Sequence, residues 1–172
     1  MKSIVIYSSL TGNTKQVAEA ITSVLPAGTP CVSMKEVPSD VSSYDLVFAG
    51  FWVDKGTANK EARDVLGTLH NPYIALFATA GVPPQMAHAK ESLINAANCL
   101  PDGVEPVGTF ICQGKVDPKV IEMMYKMFPK GHSHGQSADR DARHKQAAVH
   151  PNEDDFKAAQ DFAQHILVKL DR

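Results

Sequence analysis

The residues best suited to chemistry lie near the start of the chain, where Tyr7-Ser8-Ser9-Leu10-Thr11-Gly12-Asn13-Thr14 follows the apolar run Ile4-Val5-Ile6 and precedes a helical pattern. Such a segment is a cradle for phosphate. A buried strand delivers the backbone to a tight turn, Gly12 opens dihedrals closed to other residues, and the next helix starts with free N–H groups facing the turn. Ser9, Thr11, Asn13 and Thr14 add short donors, so a dianion can be held with no lysine or arginine in the loop. The Gly-Lys-Ser/Thr ending of a Walker loop and the three spaced glycines of a dinucleotide fingerprint are both missing. A small phosphomonoester is the expected ligand.

The elements that must position this loop follow from hydrophobic patterning. Apolar runs alternate with amphipathic stretches, the pattern of a parallel sheet covered by helices on both faces. Strands are expected at Ser3 to Ser8, Pro30 to Met34, Asp45 to Phe51, Tyr73 to Thr79 and Val104 to Cys112. Between them, Val17, Ile21, Val24 and Leu25 share one helical face, Ala62, Val65, Leu66 and Leu69 a second, and Met86, Ala89, Leu93, Ala97 and Leu100 a third. A last helix carries Phe156, Ala159, Ala163, Ile166 and Leu170, with Asn152 as its cap and Glu153, Asp154 and Asp155 where the helix dipole favours acids. Only the segment from Lys35 to Tyr44 separates the second and third strands, so any helix there must be short.

An open parallel sheet binds ligands at the carboxyl ends of its strands. The segments after the third and fourth strands should therefore wall the same site as the phosphate loop. After the third comes Gly50-Phe51-Trp52-Val53-Asp54-Lys55-Gly56-Thr57, with the only tryptophan of the chain; after the fourth comes Thr79-Ala80-Gly81-Val82-Pro83-Pro84, small enough for a flat ring to approach the backbone. An aromatic ring system is implied. Trp52 offers a face for stacking, and Gly56, in a turn needing positive φ, lets a peptide unit face the ring edge.

These residues resemble the flavodoxin family. Ser9-Leu10-Thr11-Gly12-Asn13-Thr14 is similar to that family's Ser/Thr-x-Thr-Gly-x-Thr phosphate loop, and Tyr44-Asp45-Leu46-Val47-Phe48-Ala49-Gly50 leads, as in the family, into a ring-contacting loop. The resemblance runs from Met1 to about Cys112. It implies a three-layer α/β sandwich with a five-stranded parallel sheet of order 2-1-3-4-5, and FMN as cofactor. The FMN phosphate would lie on Ser9 to Thr14, and its ring between Phe51, Trp52, Val53, Asp54, Lys55 and Gly56 on one side and Thr79, Ala80 and Gly81 on the other. The task implied is electron transfer to or from a redox protein, with a carbonyl of the Asp54-Lys55-Gly56 turn accepting a hydrogen bond from N5 of the reduced ring. The Gly-Phe-Trp loop and Cys112-Gln113-Gly114-Lys115 also resemble those of flavodoxin-family proteins associated with bilirubin reductase operons.

The chain departs from the family pattern in three ways. Its formal net charge is −2, whereas general flavodoxin carriers are strongly acidic, so long-range steering is weak. Lys55 places a cation at the ring loop, which also lacks the family's common tyrosine. An extra helix and polar loop intervene between the fifth strand and the last helix: Val120, Met123, Met124, Met127 and Phe128 fall on one helical face, followed by a stretch holding His132, His134, His144 and His150. The plain expectation is one more core helix over the sheet, the alternative a soft docking surface or lid. For the histidines a solvated loop is expected rather than a metal site.

Composition sets the wider frame. At 172 residues, 44% apolar and 21% charged, the chain reads as one globular domain. Its apolar runs are too short for a signal peptide or a membrane span. Cys31, Cys99 and Cys112, odd in number and widely spaced, suit reduced thiols in a cytoplasm, with Cys112 a small buried hydrophobe. No nucleic-acid partner is expected. The rival readings are an FMN-dependent oxidoreductase acting with NAD(P)H on a quinone-type acceptor, and a flavin-free binding or scaffold module on the same fold. A phosphoryl-accepting receiver is disfavoured, because the first strand ends in Ser8-Ser9 without the acidic pair that holds Mg²⁺.

Overall fold

A computed structural model describes residues 1–171. The central sheet runs β2-β1-β3-β5-β6, formed by β1 (Ser3–Tyr7), β2 (Cys31–Ser33), β3 (Leu46–Asp54), β5 (Tyr73–Ala80) and β6 (Gly108–Gln113). All four pairings along this path are parallel. This is the expected order 2-1-3-4-5 once the short β4 (Thr57–Ala58) is set aside. That strand pairs only with the far end of β3, antiparallel, with Val53 opposite Ala58 and Asp54 opposite Thr57.

Strand alternation divides the core in two. Ile4, Ile6, Val47, Ala49, Phe51, Ile74 and Leu76 point to one face, where Ala62 and Leu66 of α2 (Lys60–Leu66) and Ala96 of α3 (Ala87–Ala97) cover them. Val5, Leu46, Phe48, Ala75, Phe77 and Cys112 point to the other, beneath Val17 and Ile21 of α1 (Asn13–Thr22) and Ala159, Ala163 and Ile166 of α6 (Glu153–Leu170). α1, α2 and α6 bury most of the stripe that their 3.6-residue period predicts, while α3 buries Ala89 together with Ser92 and Ala96 and leaves Leu93 and Ala97 half-buried. The start of α6 is a capping box: the Asn152 side chain accepts from the N–H groups of Asp154 and Asp155, and Asp155 accepts from the Asn152 N–H.

Boundaries shift where a local signal competes with the apolar pattern. β6 begins at Gly108, not Val104, because Val104 N–H turns back onto the Pro101 carbonyl and Pro106 has no N–H for the ladder. β3 continues past Phe51 because Val53 and Asp54 fold back onto β4. Between β2 and β3 there are only two 3₁₀ turns, Met34–Glu36 and Val41–Ser43.

The expected core helix after the fifth strand requires correction. α4 (Pro118–Met127) forms, opened by Asp117 and Pro118, but buries no residue. Val120, Met123 and Met127 are 40%, 57% and 64% exposed. Its inner side is clasped to α5 (Ala138–Ala147), where Tyr125 Oη donates to Asp141 Oδ1 at 3.0 Å and lies 3.1 Å from His144 Nδ1. Phe128 stacks on His132, with centroids 4.7 Å apart. Among the described residues no three His, Cys, Asp or Glu side chains gather around a common metal position. Nor is any helix there long and apolar enough to cross a membrane.

Candidate functional site

The carboxyl ends of β1, β3, β5 and β6 open onto a cavity of about 260 Å³. Ser9, Leu10, Thr11, Asn13 and Thr14 line it from the loop after β1, Trp52, Val53, Asp54 and Lys55 from the end of β3, and Thr79, Ala80 and Gly81 from the end of β5. Thus 12 of the 15 residues assigned to the site from sequence line one space. Gly12, Phe51 and Gly56 do not line it.

Phe51 is a correction. It is fully buried in the core on the α2 and α3 side of the sheet. Period-two alternation sends Phe51 and Trp52 to opposite faces, so only half-buried Trp52 meets the cavity. Gly12 and Gly56 act through backbone geometry. Gly12 has φ +96° and caps α1 with no side-chain hydrogen bond, and no heavy atom lies within 4 Å of where a Cβ would stand. Lys55 and Gly56 have φ of +50° and +77° between the paired Asp54 and Thr57, the geometry of a two-residue type I′ hairpin. Asn95 Nδ2 donates to the Gly56 carbonyl at 2.8 Å, which engages one carbonyl of the turn and ties the turn to α3.

The loop after β1 has the donor chemistry of an anion site. Gly12 N–H and Lys15 N–H both turn onto Ser9 Oγ, at 3.2 and 3.3 Å. The first intrahelical bond runs from Gln16 N–H to the Gly12 carbonyl. The N–H groups of Asn13 and Thr14 therefore stand at a helix start whose cap residue, Gly12, offers no side chain and whose first turn holds no acid. Behind the loop, Ser8 Oγ donates to Glu61 at 2.7 Å and accepts from Asn59 Nδ2 at 2.8 Å, joining β1 to the start of α2.

A wall not foreseen from sequence comes from Gly114, Lys115, Val116, Asp117 and Val120, directly after β6. Asn13 Nδ2 donates to the Lys115 carbonyl at 2.8 Å, and Gln113 Nε2 to the Gly81 carbonyl at 3.1 Å. The available signal was positional: β6 ends at the same sheet edge as the strands already assigned to the site. Cys112, one strand position earlier, is 2% exposed, and burial followed by the charge of Asp155 pushes its thiol up to about 12. It is packing, as expected.

The sequence model of the family described as "Flavodoxin domain" matches residues 4–164. The chain belongs to this family. It is 35% identical to the flavodoxin-like domain-containing protein BilS of Clostridioides difficile (strain CD3), over 98% of each chain. Among solved structures it is similar to the flavodoxin of Streptococcus pneumoniae TIGR4, with TM-score 0.57, 14% identity and coverage of 97% and 98% of the two chains. It is also similar to a Lactobacillus acidophilus NCFM flavoprotein solved in complex with FMN, with TM-score 0.51 and 18% identity over 64% of this chain and 93% of that one. At these identities the solved structures establish the flavodoxin-like fold.

Proposed function

We propose that this flavodoxin-family chain binds FMN in the cavity at the strand ends and carries electrons between a reductase and a terminal redox enzyme. The observation that carries the reading is the mixed lining of the cavity, hydroxyl and amide donors together with an aromatic and small apolar side chains. The start of α1 presents hydroxyl and amide donors, and the segments after β3 and β5 present Trp52, Val53 and Ala80 beside Asp54 and Lys55. That matches a molecule with a phosphate at one end and a flat ring at the other. Ser9, Thr11, Asn13 and Thr14 would hold the phosphate; Trp52 and the Thr79-Ala80-Gly81 segment would flank the ring. When bound, FMN supplies reversible one- and two-electron chemistry.

The chain's own residues then bind, orient and exclude water. Trp52 supplies an apolar face for the ring, and the Asn95-tethered hairpin sets the backbone at its edge. The ionisable side chains lining the cavity are Asp54, Lys55, Lys115 and Asp117, with no histidine or cysteine. This favours a carrier over an enzyme that moves protons on a substrate. The resemblance to proteins associated with bilirubin reductase operons supports a terminal reductase as the partner.

The test is an absorption spectrum of the purified protein, repeated after adding FMN and during anaerobic reduction. Two visible flavin bands, with reduction passing through a one-electron stage, are expected. A colourless protein that ignores added FMN removes the cofactor, and direct bleaching in one step moves the function toward two-electron enzyme chemistry.

A further inference from the structure

We propose that Lys115 supplies the positive charge the phosphate loop lacks, forming with Thr11 and Asn13 a cationic subsite for a phosphate dianion. The inference rests on the FMN reading above. Residues 9–14 contain no lysine or arginine. The nearest cation in sequence, Lys15, leans along α1 toward Glu19, 3.9 Å away.

The fold brings a second cation in from the far edge of the sheet. The Lys115 carbonyl accepts from Asn13 Nδ2 at 2.8 Å, and the Lys115 N–H donates to the His150 carbonyl at 2.8 Å. The backbone is thereby pinned on both sides while the side chain stays exposed. Gly114 permits the approach, since a Cβ there would stand 2.8 Å from Asn13 Nδ2. Lys115 lines the strand-end cavity together with Asn13 and Thr14. It also lines a second cavity of about 260 Å³ whose other walls are Thr11, Asn13, Asp117 and Pro118.

Asp117 is the one acid lining that second cavity, and its Oδ1 accepts from Lys119 N–H at 2.8 Å, capping α4. Lys115 forms no ion pair among the described residues. An ammonium on the wall that also carries Thr11 and Asn13 strengthens binding of a dianion more than of a neutral ring. The subsite therefore distinguishes FMN from riboflavin, which lacks the phosphate.

The experiment titrates the purified chain with FMN and with riboflavin, at low and high salt, for the native protein, Lys115→Gln and Lys115→Arg. At low salt Lys115→Gln is expected to weaken FMN by about five- to tenfold, riboflavin by less than about twofold, and to flatten the salt dependence of FMN binding. Lys115→Arg should stay near the native affinity, and thermal melts check that each variant is folded. Equal losses for both flavins would make Lys115 a prop for the wall and overturn the proposal. Unchanged affinities would overturn it while leaving the FMN reading intact. A native chain that binds neither flavin would sink both.

Discussion

The hydroxyls of Thr14 and Thr79 lie 2.9 Å apart, at 1% and 3% exposure, and join the start of α1 to the end of β5 at the cavity. Each is the other's hydrogen-bond partner at the place where α1 passes over β5. Thr14→Val keeps the shape and leaves the Thr79 hydroxyl buried without that partner, so a loss of about 1–3 kcal/mol is expected in urea unfolding. Removing both hydroxyls, in Thr14→Val with Thr79→Val, should cost less than the sum of the single changes. Strict additivity would show that the two groups do not act as a pair.

Lys55 holds a left-handed conformation, φ +50°, at the tip of the hairpin that flanks the proposed ring position, and it lines the cavity. A cation there stabilises added negative charge on the ring. Lys55→Glu should therefore lower the potential of the second electron by roughly 50 mV, with a smaller change for Lys55→Gln, both read by anaerobic redox titration. Lys55→Gly separates charge from backbone: it relieves the left-handed strain while removing the cation, and should give a potential close to that of Lys55→Gln. A potential indifferent to Lys55→Glu would place the ring away from this turn.

The layers and the turn from Ser9 to Thr14 into α1 were legible in the sequence because strand alternation, helical periodicity and Gly12 are local signals whose outcome tertiary structure did not override. Phe51 and Trp52 are adjacent in sequence but separated by a sheet, because β3 continues through both and so only Trp52 faces the cavity. The Val120, Met123 and Met127 stripe has the period of a core face, yet period alone does not say whether a neighbour is present to bury it. The Gly114 to Val120 wall has neither an aromatic nor a glycine-rich fingerprint. It joins the site only because β6 ends beside β5, a long-range pairing that no local pattern encodes.

Burial of Cys112 has a consequence for alkaline stability. Its thiol is pushed from an ordinary 9.0 up to about 12, by desolvation first and the charge of Asp155 second. Between those values the unfolded chain has released the Cys112 proton and the folded chain still binds it, so stability falls as pH rises through that window. Below pH 9 the contribution is complete. Cys112→Ala should flatten the alkaline decline in urea midpoint, at a cost from the lost packing that is the same at every pH. At neutral pH the native thiol should also resist alkylation while half-buried Cys31 and Cys99 react faster, as read by peptide mass spectrometry. A native and a Cys112→Ala protein with parallel alkaline profiles would show that the thiol does not titrate in that range.

The exposed stripe of α4 predicts a separation between chemical vulnerability and stability. Met123 and Met127 are 57% and 64% exposed, whereas Met34 is 5% exposed within the core on the α2 and α3 side. Under dilute peroxide Met123 and Met127 should become sulfoxides first, and Met34 only when the chain unfolds. Because α4 buries no residue, the paired substitution Met123→Gln and Met127→Gln should shift the melting temperature by no more than about 2 °C, within the ordinary range for surface changes. Ile166→Ala in α6, which is 1% exposed against β6 and Phe48, should by contrast cost about 2–5 kcal/mol. A large loss of stability from the methionine pair would mean that α4 packs against the sheet in solution, restoring the core-helix expectation that the fold here contradicts.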